Sequence, residues 1–257
     1  MMMFMYILAG LCGGILTGMA GLTAAMVVTP MLCGVCGWAG YDATTLSLIA
    51  NIPAALVTCY TYYKNGNVDL QRTKSVVGSA FIGAVVGSWL GYLFSQVSES
   101  GVSYAVIIMN LLLAVKYIRP AKAKEDSLTE QKQKKQQKKT LLAIALAFVI
   151  GMECGFMGSA GGALMLIVLT IVLGMDTKLA VGTNSMIMAL VALTGAVSHV
   201  AMGAQVELIP GIVVTVVCTA AAIVSARFAN KVSERVLNVS TGIVLIAVSL
   251  LSLILGA

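Results

Sequence analysis

The chain is built of about ten apolar runs, most of them close to the roughly 20 residues that a helix needs to cross a ~30 Å hydrocarbon layer. In the first half these are Phe4 to Thr17, Gly21 to Gly37, Ala43 to Tyr62, Ser75 to Ser95 and Val102 to Ile118. In the second they are Thr140 to Met157, Gly161 to Gly174, Leu179 to Met202, Leu208 to Ala229 and Val236 to Leu255. Such runs confine the chain to a membrane-embedded bundle of helices. A β-barrel would show strands of about ten residues alternating apolar and polar, whereas Leu141 to Ile150 and Gly242 to Leu255 are apolar nearly all round. Charged residues make up only 10% of the 257 positions, too few to clothe a water-soluble fold of this size. The start, Met1 to Met5, lacks the basic residues of a cleaved signal peptide and reads as the beginning of the first span.

Between the two groups of five lies a Lys- and Gln-rich segment, which divides the chain into repeats 1–119 and 140–257 joined by a linker, 120–139. The linker is too charged to cross a membrane and reads as a solvated loop. It holds seven of the sixteen Lys and Arg residues, so the net charge of +6 is a local feature and does not point to nucleic acid. The halves resemble each other at a separation of about 140 residues. Gly18-Met-Ala-Gly21 aligns with Gly158-Ser-Ala-Gly161, Thr45-Leu-Ser47 with Thr183-Asn-Ser185, and Asn67-Val-Asp-Leu70 with Gln205-Val-Glu-Leu208. Gly83 and Gly87 align with Ala221 and Ser225.

Five crossings per half would turn the second half upside down relative to the first. The distribution of positive charge agrees: all sixteen Lys and Arg fall on or beside the loops of one face, while the other carries only Asp42, Glu99 and Glu207. The positive-inside rule then makes the linker cytoplasmic and both termini external, in an inner membrane. The expectation is an all-α integral membrane protein of two five-segment inverted repeats, an arrangement common in secondary transporters. Gly161 to Gly174 is too short to span, so segments 1 and 2, and 6 and 7, are expected either to cross or to form re-entrant hairpins meeting near mid-membrane.

Two glycine-rich breaks stand out, Gly13 to Gly21 and Gly155 to Gly162. Glycine lets a chain leave helical geometry and expose backbone N–H groups, and a helix restarting there turns its positive end toward the gap. Gly18, Gly21, Gly158, Ser159, Gly161 and Gly162 are therefore candidate substrate-binding positions for an anion. The alternative is helix packing through small residues. Thr45, Ser47 and Asn51, with Thr183, Asn184 and Ser185, add hydroxyls and amides on apolar helices. Their alternative is bonding to their own helix backbone. Glu153 is a carboxylate deep within a span, about one turn before the second break, and is the candidate proton-coupling residue; a structural carboxyl is the alternative. His199, the single histidine, is read as interfacial.

Cys33-Gly-Val-Cys36 has the spacing of redox and metal motifs but lacks a second ligand pair. It keeps open a metal or cation permease, or an intramembrane thiol-redox protein. The chain has no nucleophile elbow, P-loop, HExxH or nucleotide fingerprint, which argues against an ATP-driven pump acting alone; the expectation is a protein that is not an enzyme and holds no cofactor.

With its paired glycine-rich breaks, Ala180-Val-Gly-Thr-Asn-Ser185 followed by His199-Val-Ala-Met-Gly203, and the turns Gly66-Asn-Val-Asp69 and Ala204-Gln-Val-Glu207, the chain resembles the sulfite exporter TauE/SafE family of membrane permeases. The likeness covers all but the linker. It implies transport of sulfite, an organosulfonate or a related small sulfur-containing anion. The commonest first motif of that family has three consecutive glycines and then Pro, where this chain has Gly21-Leu-Thr. The expected partners are that anion and the lipid bilayer; homo-oligomerisation stays open.

Overall fold

A computed structural model of the chain describes residues 2–95, 132–158 and 161–232, together with Val236, Val239 and Ile243. Predicted segment 5, residues 120–131 of the linker, Ser159 and most of predicted segment 10 lie outside the described residues. The helices are α1 (Met2–Ala20), α2 (Ala25–Cys36), α3 (Gly40–Tyr63), α4 (Lys74–Ser95), α5 (Lys132–Met157), α6 (Gly161–Ile167), α7 (Thr177–Ala201) and α8 (Leu208–Ala229). A π-helical turn, Val168–Val172, prolongs α6. Among the described residues six helices are long and apolar enough to cross a membrane: α1, α3, α4, α5 from Lys138 onward, α7 and α8.

Two boundaries differ from the expectation. Residues 132–139 of the linker are the first turns of α5, since Lys and Gln are good helix formers and run directly into an apolar helix. And α1 does not break at Gly13, Gly14 or Gly18; it continues to Ala20.

The reason is what those glycines pack against. A Cβ on Gly14 would strike the carbonyl oxygen of Cys218, and one on Gly18 that of Ala222, so α1 lies parallel to α8 with backbone against backbone. On the other side Gly151 and Gly155 of α5 meet the carbonyls of Ala80 and Ala84 on α4 in the same way. Between helices surrounded by lipid there is no hydrophobic drive to associate, so van der Waals contact must serve, and glycines four apart permit the closest approach. The outward faces carry Phe81, Trp89, Leu141, Ile209 and Val224, side chains suited to lipid rather than water.

Between these two pairs lie α3 and α7, packed antiparallel. Thr45, near the start of α3, meets His199, near the end of α7, while Tyr62, at the other end of α3, faces Gly182. At that second end Arg72 Nη2 donates to the carbonyl of Leu173 (2.7 Å) and Lys178 Nζ to that of Asn230 (2.9 Å). At the first end the backbone N–H of Gln205 donates to Asp42 (2.8 Å).

Candidate functional site

The chain leaves α1 at Gly21 with φ +63°, a left-handed conformation that L side chains adopt only under strain. It returns along α2, whose end comes back to the start of α1 through an edge-on contact of Trp38 with Tyr6 (ring centroids 6.4 Å). The result is a helical hairpin. Its turn is fastened half-way along α3, where Asn51 Oδ1 accepts from the N–H of Ala24 (2.9 Å) and from Thr17 Oγ1 (3.4 Å). Thr29 and Ser47 hydroxyls lie 2.9 Å apart beside it.

The second half repeats the device. Gly158, φ +71°, ends α5, and Gly161 opens α6. The six described glycines with positive φ fall into three pairs, Gly21 with Gly158, Gly37 with Gly174 and Gly66 with Gly203, each held apart by the same number of residues.

The two turns touch. A Cβ on Gly162 would lie 2.7 Å from the backbone nitrogen of Thr23 and 3.0 Å from Leu22, and one on Gly158 would lie 3.3 Å from the Cβ of Ala25. Asn184 of α7 joins them: its Nδ2 donates to the carbonyls of both Gly21 and Gly162, at 2.8 Å each. A Cβ on Gly21 would press on the carbonyl of Val181 (2.8 Å) and on Ser185 Oγ (3.1 Å), which itself donates to Val181 (2.8 Å). Two buried amide atoms at this junction, Asn51 Nδ2 and Asn184 Oδ1, have no hydrogen-bond partner among the described residues. Leaving such a group unsatisfied costs about 1–3 kcal/mol, a penalty that a fold usually removes unless the group has another use.

Of the positions picked from sequence, Gly21, Asn51, Gly158, Gly161, Gly162, Asn184 and Ser185 gather around this junction, and Ser47 flanks it. Three stand elsewhere. Gly18 is a packing glycine against α8, so its place among the turn residues is corrected. Thr45 donates to the carbonyl of Tyr41 (2.8 Å) and meets His199 (3.0 Å). Thr183 accepts the N–H of Asp69 (2.9 Å), tying down the loop after α3. Glu153 points at the second turn, with Oε2 3.3 Å from where a Cβ on Gly161 would sit.

Sequence reasoning misplaced His199. It is fully buried, with Nδ1 3.0 Å from Thr45 Oγ1, Nε2 2.8 Å from the carbonyl of Gly155, and its ring stacked 4.4 Å from that of Tyr41. Nearness to a helix end suggested an interface, but the face of α7 that carries His199 meets α3 and α5, while Val197 and Val200 beside it are exposed. Cys33 and Cys36 lie half-buried on α2 and form no disulfide with each other. Among the described residues no group of three or more His, Cys, Asp or Glu is placed to hold a metal ion.

Residues 6–252 match the family model described as sulfite exporter TauE/SafE. Over 212 residues the chain is 26% identical to the "Probable membrane transporter protein YunE" of Bacillus subtilis (strain 168), a likeness covering 77% of this chain and 78% of that protein. No solved structure matches the chain. With apolar spanning helices, two hairpin turns that meet and a family match running nearly end to end, the chain belongs to the sulfite exporter TauE/SafE family of membrane transporters.

Proposed function

We propose that the chain is a secondary transporter of a small sulfur-containing anion such as sulfite or an organosulfonate, binding it where the two hairpin turns meet. The observation that carries this reading is the junction itself: two backbone turns joined through Asn184, with the Asn51 Nδ2 donor buried beside the start of α2 and unpartnered among the described residues. A dehydrated oxyanion is matched by neutral N–H donors and the positive end of a helix. In the same reading Gly158, Ser159, Gly161, Gly162 and Ser185 shape the site, and Glu153 carries the coupling proton at its rim.

An inverted repeat fits this site. Supporting it are the antiparallel packing of α3 on α7, the reciprocal pairing of α1 with α8 and of α4 with α5, and the matched positive-φ glycines. The basic end, with Arg72 and Lys178, is then cytoplasmic and both termini are external, in the inner membrane. A reporter active only in the cytoplasm, fused after Ala257, is expected to stay silent; activity there would overturn the orientation.

Ligand binding to the folded state alone raises apparent stability, by about 2.7 kcal/mol at a hundred times Kd. In detergent, sulfite or a sulfonate such as sulfoacetate should raise the melting temperature by several degrees where equal chloride does not. If sulfite, sulfoacetate, taurine, thiosulfate and sulfate all leave it unmoved, the substrate class is wrong.

A further inference from the structure

The buried histidine has no part in the anion site, yet it ties three helices together. The carbonyl of Gly155 can only accept a hydrogen bond, so Nε2 of His199 carries the proton of that 2.8 Å contact. Nδ1 is then left as the acceptor of a neutral ring, and Thr45 Oγ1, 3.0 Å away, supplies it by turning its single hydroxyl proton from the carbonyl of Tyr41 (2.8 Å) to the ring. The neutral Nε2–H tautomer therefore satisfies both ring nitrogens. Gly155 lies in the last turn of α5, just before the turn glycine Gly158, and Thr45 lies in the first turns of α3. His199 thus fastens the second hairpin to α3 and α7.

Among the described residues a positive ring in this place would be enclosed without a counter-ion. Its hydrogen bonds go to a hydroxyl and a carbonyl, and its stacking partner Tyr41 touches Tyr92 in turn (6.3 Å). The nearest acidic group on α3, Asp42, is engaged with the N–H of Gln205. On α5 Glu153 and Cys154 point toward Gly161, and on α4 the titratable neighbour is Tyr92. Burying an isolated charge is far more costly than burying a bonded neutral ring, so a proton on His199 and closure of this end exclude each other.

The other half has a counterpart that cannot respond in this way. Tyr62, near the end of α3 as His199 is near the end of α7, donates its hydroxyl to the carbonyl of Met19 (3.0 Å), just before Gly21. A phenol keeps its proton throughout the physiological range, whereas an imidazole changes charge within it.

We propose that His199 is a proton-binding latch: neutral, it holds the α5–α6 hairpin closed against α3 and α7, and protonated, it releases that end while the Tyr62 latch at the opposite end stays shut. Its consequence for transport rests on the transporter reading; the test does not, because it needs no substrate. His199 is the only histidine, so ¹⁵N-histidine labelling of the purified protein in detergent gives one imidazole. At about pH 8 its ¹⁵N shifts should report the neutral Nε2–H tautomer, and by about pH 4 the imidazolium. Over the same interval amide exchange in residues 152–158, normalised to the intrinsic rate at each pH, should accelerate roughly tenfold or more through local opening. In His199→Gln that acceleration should vanish. The proposal is overturned by the other tautomer at high pH, by a ring still neutral at about pH 4, by protonation that leaves exchange in 152–158 unchanged, or by a His199→Gln variant that keeps the response. The wild-type titration is decisive by itself should the variant fail to fold.

Discussion

Gly162→Val is expected to abolish transport while the protein still inserts and folds. The groups that a Cβ there would meet are backbone atoms, the nitrogen of Thr23 at 2.7 Å and the Cα and carbonyl carbon of Leu22 at 3.0 Å, so no rotamer change relieves the clash. The two hairpin turns must move apart, and Asn184 then loses one of the carbonyls that it holds together. Overpacking of this kind costs about 1–3 kcal/mol, which a bundle held by two glycine-lined helix pairs can bear. Displacing binding groups by ~1 Å typically costs on the order of 100-fold in rate, and that is the loss expected in liposomes. Gly78→Ala is the control: nothing lies within 4 Å of its Cβ, on an open part of α4, and the change should leave transport intact and stability equal or raised by roughly 0.5–1 kcal/mol. Wild-type flux through Gly162→Val would remove the junction from the transport path.

The second large effect belongs to Glu153→Gln. The carboxyl sits beside the second turn, 3.3 Å from the position of a Gly161 Cβ, close enough for its charge to act on an anion at the junction. A proton and an anion that share a low-dielectric site lower each other's cost of entry, since at a few ångströms their attraction is worth several kcal/mol even at an effective dielectric of about 20. Glutamine keeps the shape and much of the hydrogen bonding but cannot cycle a proton. The variant is therefore expected to exchange substrate across the membrane at a near-normal rate while losing accumulation driven by a pH gradient. Counterflow and pH-driven uptake measured in the same liposomes separate the outcomes. Equal loss of both would mean a structural role, and undiminished pH-driven uptake would place the coupling elsewhere.

What the sequence made legible follows from the kind of signal each feature leaves. Apolar run length is a one-dimensional property, so the helical membrane class was readable, as were the turns at Gly21 and Gly158, because each glycine cluster stands where a run must end. The same clusters also hold Gly14, Gly18 and Gly155, which, like Gly151 one turn earlier, serve helix contact instead of turning. Composition does not distinguish a glycine needed for φ from one needed for close approach, and that distinction placed Gly18 wrongly. Thr45 and Thr183 were chosen for symmetric recurrence, but which side of a helix faces a neighbour depends on packing that an almost wholly apolar helix does not reveal. His199 was hidden for the same reason: its burial comes from α3 and α5 closing over one face of α7, a tertiary event. Its counterpart Tyr62 was the available clue, since each residue lies near the end of the third helix of its half.

Whether the junction of the two hairpin turns carries the anion is decided by counterflow of labelled sulfite in liposomes holding the purified protein, preloaded with unlabelled sulfite, with Gly162→Val liposomes alongside. The account predicts saturable, transient accumulation of label in wild type, suppressed by external organosulfonate and absent from the variant. Label entering protein-free and protein-containing liposomes at the same rate, with sulfite and with each sulfonate used in its place, would contradict it.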